Sequence, residues 1–246
     1  MLEIQEILVI VIAMVLSSTV LSTLGFGLGL TASPVLLLAI APQSVVVITN
    51  AVSIMVVSLI LYQTRRHLSL RNLVPIAIAG LAGVPVGVYI LTNIDTGLMR
   101  ITMALLVLLI AVIVASNIAP SIWLPRIAGP PIAFLVAGLI ASSGIGGPLM
   151  ALYLLREDRE VDHLRCSLSV FFLVVMGGSL AGYTASGLLT SERILMILVA
   201  LGPAILGFRA SALFLKRMDH TVFRKTILVF IVISSLLVLG QEFLSK

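Results

Sequence analysis

Two glycine-rich stretches decide how this sequence folds: LGFGLGLTASP at residues 24–34 and SSGIGGP at residues 142–148. Each interrupts an apolar region, residues 7–41 and 127–155, that is too long for one crossing of about 30 Å of hydrocarbon. Each is followed by a short apolar segment, about residues 30–41 and 148–155, which we expect to be a half-helix that starts at membrane depth. The sequence therefore predicts two broken helices at corresponding places in the chain.

The composition excludes a soluble globular protein. Of the 246 residues, 60% are hydrophobic and 10% are charged, and the mean hydropathy is +1.25, whereas a soluble domain carries about 25% charged residues. The net charge of +5 marks cytoplasmic loops in a membrane protein rather than a nucleic-acid surface. The single Cys166 offers neither a disulfide nor a thiolate metal cage.

Complete membrane spans are predicted from apolar runs of sufficient length. The N-terminus carries Glu3 and Glu6 and lacks the basic region of a cleavable signal peptide, so we expect the first helix to remain in the mature protein. The predicted spans are residues 44–63, 73–91, 101–119, 166–189, 194–215 and 226–244.

The distribution of Lys and Arg decides between two possible membrane topologies for the interrupted regions, because these residues are enriched in cytoplasmic loops. If each region crosses the membrane once, eight basic residues lie on one side of the membrane and six on the other. Arg209 is not counted because it lies within a span. If each region is a re-entrant hairpin, the basic residues at 65–71, 126, 156–165 and 216–225 all become cytoplasmic, and the split is 11 to 3. The three outside are then Arg100, Arg193 and Lys246. The sequence favours the hairpins, with both termini outside.

Traces of a duplication support two related halves. Residues 94–100 (IDTGLMR) resemble residues 218–224 (MDHTVFR) at a shift of 124. At that shift Gly83 falls on Gly207, and at a shift of 119 Gly25 and Gly27 fall on Gly144 and Gly146. Because three crossings follow each hairpin, the halves have opposite orientation. We expect an all-α integral membrane protein with one transmembrane domain of about eight embedded helical units, built from two inverted repeats, residues 1–119 and 120–246.

The two breaks are the first candidate site. The first N–H groups of a helix lack intrahelical partners and lie at the positive end of its dipole, so a half-helix starting inside the membrane offers an anion site without a formal charge. The alternative is that the glycines only permit tight helix packing, but broken helices at matched positions are the better pointer to a transport site. The candidates at the tips are Gly25, Gly27, Gly29, Ser33, Ser142, Ser143, Gly144, Gly146 and Gly147.

Further polar residues lie inside the following spans. Thr49, Asn50 and Ser53 in the first half, and Ser167 and Ser169 in the second, are candidates to line the same cavity. The alternative is that each Ser or Thr hydroxyl bonds its own helix backbone, as is common in membrane helices. Asn50 is less easily explained in that way.

Arg209 is flanked by long apolar sequence on both sides. A charge within a span marks a function by default, and an arginine lining a cavity holds an oxyanion through several donors. The alternative is snorkelling toward the cytoplasmic headgroups, since Lys216 is less than two turns away. Both interpretations stay open.

Catalytic groups are absent from the predicted spans. The sequence has no intramembrane carboxylate, no HExxH motif and no P-loop, and His67, His163 and His220 fall in predicted loops. We therefore expect no metal, no cofactor and no enzymatic activity.

The two glycine motifs, each followed by a short apolar helix and a span containing Thr or Ser, resemble the TauE/SafE sulfite exporter family of membrane permeases. The resemblance covers nearly the whole chain, and Gly25, Gly27 and Gly29, with Gly144, Gly146 and Gly147, match the paired glycine motifs of the family. It implies outward transport of sulfite or a small organosulfur anion such as sulfoacetate across the bacterial inner membrane. It implies no role for Arg209.

The sequence thus predicts a secondary transporter for a small sulfur-containing oxyanion, with a site between the hairpin tips near the midplane. The expected partners are the anionic substrate and membrane lipid, protons are candidates for the coupling ion, and a homo-oligomer is left open. An anion channel, or a permease for another oxyanion or carboxylate, is the alternative.

Overall fold

The protein is helical throughout the part that the structure, a computed structural model, describes: residues 4–68, 73–115, 128–154 and 161–217. No strand occurs in these residues. The helices are α1 (Ile4–Leu24), α2 (Leu28–Leu36), α3 (Pro42–Thr64), α4 (Leu73–Asn93), α5 (Thr96–Ala115), α6 (Gly129–Ser143), α7 (Gly147–Leu154), α8 (Val161–Ala185) and α9 (Ser191–Arg217), with a 3-10 turn at Arg65–His67.

Five helices of this part are long and apolar enough to cross a membrane: Ile4–Leu24, Pro42–His67, Leu73–Asn93, Val161–Ala185 and Ser191–Ser211. The prediction of an all-α protein with several spans is confirmed. The first of the five, α1, occupies the first part of the interrupted region 7–41. Its 21 residues measure about 31 Å, which is long enough for one crossing. Residues 116–119 and the predicted span 226–244 lie outside the described residues.

Four helices begin earlier than the hydropathy predicted: α3 and α9 by two and three residues, and α5 and α8 by five residues each. Helix α5 starts five residues before position 101, because the Asp95 carboxylate accepts the N–H groups of Gly97 and Leu98 at 2.9 and 3.1 Å and caps the helix. Helix α8 starts five residues before position 166. His163 and Arg165, which were assigned to a loop, therefore lie in its first two turns, and that assignment was wrong.

The half-helices also differ in extent from the expectation. Helix α2 begins two residues earlier than position 30 and ends at Leu36 rather than near position 41. Helix α7 begins at Gly147, one residue earlier than expected.

Hydroxyl side chains are buried inside the helix bundle together with its apolar core, and large apolar side chains are exposed on the outside. Helix α1 buries Ser17 and Ser22, whereas its Leu8 and Ile12 are exposed. The buried hydroxyls donate to backbone carbonyls one turn earlier, as Ser22 does to Ser18 at 2.6 Å. This distribution suits a protein whose surface faces lipid.

One end of the bundle is marked by a pair of histidines. His67, after α3, stacks on His163, near the start of α8, with ring centroids 5.6 Å apart and an interplanar angle of 22°. The end of α3 and the start of α8 therefore share this end.

The opposite end is marked by Arg193 at the start of α9. Its Nε donates to Ser44 Oγ at 3.0 Å and its Nη2 to Gln43 Oε1 at 3.3 Å. The Gln43 amide in turn donates to the Leu91 carbonyl at 3.2 Å. The starts of α3 and α9 and the end of α4 thus meet at this second end.

Helix α7 returns along α6. Gly146 packs on Ile140 and on the Val136 carbonyl, and a Cβ at Gly129, the first residue of α6, would collide with the hydroxyl of Tyr153 near the end of α7. The outer ends of α6 and α7 are therefore neighbours.

Two helix pairs approach each other closely at a glycine. Helix α4 packs on α6, and Gly83 touches the Phe134 carbonyl; helix α9 packs on α1, and Gly207 touches the Val15 carbonyl. Gly83 and Gly207 differ by 124 positions, and Val15 and Phe134 differ by 119. These are the two shifts at which the sequence showed traces of a duplication.

Candidate functional site between the helix breaks

The first break separates α1 from α2. Gly25, with φ +82°, donates its N–H to the Leu21 carbonyl at 2.7 Å and ends α1. Gly27, with φ +105°, stands immediately before α2, and its carbonyl accepts the Thr31 N–H at 3.0 Å. Both positions need the left-handed conformation that glycine adopts without strain.

The second break separates α6 from α7. Gly144, with φ +72°, donates its N–H to the Ile140 carbonyl at 2.9 Å and ends α6. The Ser143 hydroxyl donates to the Leu139 carbonyl at 2.7 Å and accepts the Ile145 N–H at 3.3 Å. Pro148 then occupies the first turn of α7, where no backbone donor is needed.

The two breaks touch each other. A Cβ at Gly29 would stand 1.9 Å from the Gly144 carbonyl oxygen, and one at Gly147 would stand 3.1 Å from Phe26 Cβ and 3.5 Å from the Gly27 nitrogen. Such proximity is open only to glycine. The N-termini of α2 and α7 consequently lie side by side inside the protein.

The broken ends of α1 and α6 are capped by side chains from other helices. At the first break, Arg165 Nη2 of α8 donates to the Ser22 carbonyl at 2.6 Å. At the second, the Tyr183 hydroxyl donates to the Ala141 carbonyl at 2.7 Å. These contacts satisfy carbonyls that have no intrahelical donor.

Asn50 completes the cap of the second break. Its Nδ2 donates to the Ile140 carbonyl at 3.1 Å and to the Tyr183 oxygen at 2.8 Å. The amide orientation follows from the carbonyl, which can only accept. Asn50 thereby links α3 of the first half to α6 and α8 of the second.

A small cavity of about 20 Å³ lies between the breaks, with room for roughly one or two water molecules. Its wall combines glycine backbone from both breaks with apolar side chains and one hydroxyl. The lining residues are Leu21, Gly27, Leu28, Gly29, Leu30, Ser53, Ile140, Gly144, Gly146, Gly147, Pro148, Phe172 and Met176.

Six of the predicted residues line this cavity: Gly27, Gly29, Ser53, Gly144, Gly146 and Gly147. Gly25 lies behind the first break against Arg165, and Thr49 lies beside Gly144 while its hydroxyl donates to its own helix at Val45. The structure therefore brings the glycines together and sets the polar side chains around them.

The remaining predicted residues stand further out. Ser33 is fully buried in α2, and its hydroxyl has no hydrogen-bond partner among the described residues. Ser142 is half-buried with its hydroxyl 3.3 Å from the Leu139 carbonyl, and Ser167 is buried in α8. None of these three lines the cavity.

Arg209 is exposed on α9 and is absent from the cavity wall. The buried arginine is Arg165 instead, which sequence reasoning counted as a loop charge. The spacing of Asp162 and Arg165, three residues apart, is typical of an ion pair on a helix and could have placed Arg165 in a helix, although not in a buried position. Phe172 and Met176 were also missed, because nothing distinguishes them from ordinary apolar span residues.

The described helices define a class: a multi-pass helical membrane protein with two broken helices whose inner ends meet, an architecture used by secondary transporters. Residues 9–238 match the family described as Sulfite exporter TauE/SafE, and the chain belongs to this family of membrane transporters. The resemblance inferred from the glycine motifs is confirmed. Searches of curated proteins and of solved structures gave no significant match.

Proposed function

We propose that this protein is a secondary transporter that exports sulfite or a small organosulfur anion across the bacterial inner membrane. The observation that carries the proposal is the meeting of two glycine-rich breaks around one cavity. The N–H groups of Leu28, Gly29 and Leu30 at the start of α2 precede its first helical hydrogen bond, which runs from Thr31 to Gly27. At the start of α7 only Gly147 offers such an N–H, because Pro148 has none and Leu149 donates to the Gly146 carbonyl at 3.1 Å. Both helix dipoles direct positive potential to the same place. Such a site holds an oxyanion by backbone donors alone.

The re-entrant topology of the second region is supported by contacts at both ends of the bundle. In a single-crossing drawing, His67 and His163 fall on opposite sides of the membrane, and so do Ser44 and Arg193. Each pair is in direct contact. A hairpin over residues 127–155 accommodates both contacts, as well as the return of α7 along α6.

The first region follows the same design. Helix α1 ends near Arg165, which lies close to the end of the bundle that carries the histidine pair, while α3 begins at the opposite end. Because α1 is about 31 Å long, it starts near the end where α3 starts. The chain between Gly25 and Pro42 therefore returns to the side from which it came.

An inverted repeat is supported by the matched glycine contacts of α4 on α6 and of α9 on α1. In a pseudo-twofold arrangement α4 corresponds to α9 and α6 to α1, so one contact is the image of the other. Alternating access then follows from movement of one half against the other around the shared site. The histidine end, which carries the basic loops, is the cytoplasmic one.

The site favours a small anion. The cavity is narrow, its lining contains a single hydroxyl, Ser53, and it offers backbone donors rather than a fixed charge. Coupling to protons fits an anion that itself titrates near neutral pH. A permease for another oxyanion or for a small carboxylate would use the same backbone donors. Flux measurements distinguish these substrates.

The test is sulfite flux in proteoliposomes, with sulfate, thiosulfate and sulfoacetate as competitors and with or without a pH gradient. We expect saturable flux and counterflow. Flux that neither saturates nor exchanges would assign the protein as an anion channel.

The variant Gly147→Ala tests the site, because its Cβ would stand 3.1 Å from Phe26 and would crowd the cavity. We expect loss of most transport at normal expression. The matched control is Gly177→Ala on α8, where a Cβ meets nothing within 4 Å. Equal transport by the two variants would contradict a site between the breaks.

A further inference from the structure

Arg165 is a buried guanidinium at the first break. Its exposed fraction is 9%, and it is the one charged side chain among the buried residues that the structure describes. Its Nη2 donates to the Ser22 carbonyl, and its Cγ lies against Gly25, where a Cβ would come within 3.0 Å. The side chain is therefore fitted to the broken end of α1.

A helix break creates an electrostatic conflict for an anion site. The end of α1 carries about half a negative charge on its free carbonyls, and the start of α2 carries about half a positive charge on its free N–H groups. The two ends stand only a few residues apart, so their fields largely cancel. The start of α2 therefore attracts an anion more strongly when the carbonyl end of α1 is neutralised.

The two breaks differ in the charge of the side chain that caps their carbonyl end. At the second break, neutral donors, Asn50 and Tyr183, cap the end of α6. At the first break, the cap carries a full positive charge, that of Arg165. A neutral donor would suffice to satisfy a carbonyl, as the second break demonstrates, so the charge needs a separate reason.

The charge of Arg165 is incompletely compensated within the described residues. Asp162 lies 3.3 Å from Nη1, but 57% of its side chain is exposed, so solvent screens it. The buried Nε has no hydrogen-bond partner in this part of the chain. Burying a guanidinium with so little compensation is costly in a membrane protein and marks a function.

We propose that Arg165 is the positioning residue that gives the site its selectivity for anions, because it neutralises the carbonyl end of α1 and leaves the N–H groups of α2 unopposed. The inference rests on the proposed function and assigns to Arg165 the part that the sequence suggested for Arg209. Arg165 acts through the break and does not line the cavity.

Four variants of the full-length protein separate charge from structure. Arg165→Gln keeps an amide donor for the Ser22 carbonyl and removes the charge, whereas Arg165→Lys keeps the charge. Asp162→Asn removes the partial compensation from an exposed position. Arg209→Gln removes an exposed arginine from another span and is the matched control.

The measurements are KM and Vmax of sulfite counterflow in proteoliposomes, with the melting temperature of each purified variant. We expect Arg165→Gln to raise KM about tenfold, the size of a charge effect at a helix end. Arg165→Lys should stay within about threefold of the wild type, and Asp162→Asn should lower KM about twofold. Arg209→Gln should leave KM unchanged.

Four results would overturn the inference. If Arg165→Gln and Arg165→Lys change KM equally, the residue acts as a hydrogen-bonding cap and not as a charge. If Arg165→Gln does not fold, an unchanged KM in Asp162→Asn still refutes a role for the charge. If wild-type protein shows no counterflow of any of the tested anions, the proposed function fails, and the inference fails with it. If wild-type flux is normal but the KM of the Arg165 variants is unchanged, only the inference is refuted.

Discussion

Replacing Gly29 by alanine should separate the two helix breaks and destroy the site. The added Cβ would stand 1.9 Å from the Gly144 carbonyl oxygen, and carbon–oxygen contacts settle at about 3.3 Å or more. Because the obstacle is backbone, no side chain can rotate away, and the breaks must move apart by about 1.4 Å.

The expected magnitude follows from hydrogen-bond lengths. N–H···O bonds in proteins extend to about 3.2 Å, so an anion held by both breaks loses its bonds to one of them after such a displacement. Losing one hydrogen bond to a charged group costs about 1.5–3 kcal/mol. The dissociation constant should therefore rise roughly 10- to 100-fold.

The assay is calorimetric titration of sulfite into purified Gly29→Ala, with size-exclusion chromatography to verify that the variant is folded. The control is Gly202→Ala on α9, where a Cβ meets nothing within 4 Å. A folded, monodisperse Gly29→Ala that binds sulfite with wild-type affinity would refute the reasoning that the anion sits between the breaks.

Two further predictions concern topology and stability. In a Cys166→Ser background, single cysteines at Arg66 and Val161, both exposed, should label from the cytoplasmic side, and one at Glu192 from the outside; labelling of the first two from opposite faces would exclude a hairpin over residues 127–155. Tyr183→Phe removes the donor to a buried carbonyl of α6 and should lower stability by about 1 kcal/mol, seen as a lower melting temperature in detergent, whereas an unchanged melting temperature would mean that this cap contributes nothing.

Local chemistry made the breaks predictable from the sequence. Gly25, Gly27 and Gly144 adopt positive φ, a conformation that glycine alone enters readily, and Pro148 fits a helix start. Hydropathy in the same way identified α3 and α4 to within two residues at each end. Helix starts that depend on a cap, as at Asp95, were displaced because hydropathy does not register a single side-chain hydrogen bond.

The composition and the two glycine motifs by themselves determined an all-helical membrane protein with paired helix breaks, and they pointed to its family. Only the tertiary structure decided which arginine lies at a break. Arg209 stands in the middle of an apolar run yet is exposed, while Arg165 stands at the edge of one yet is buried. The reason is that a charged side chain is buried only where another helix packs against it. For Arg165 that contact is with the Ser22 carbonyl of α1, which lies 143 residues away in the chain.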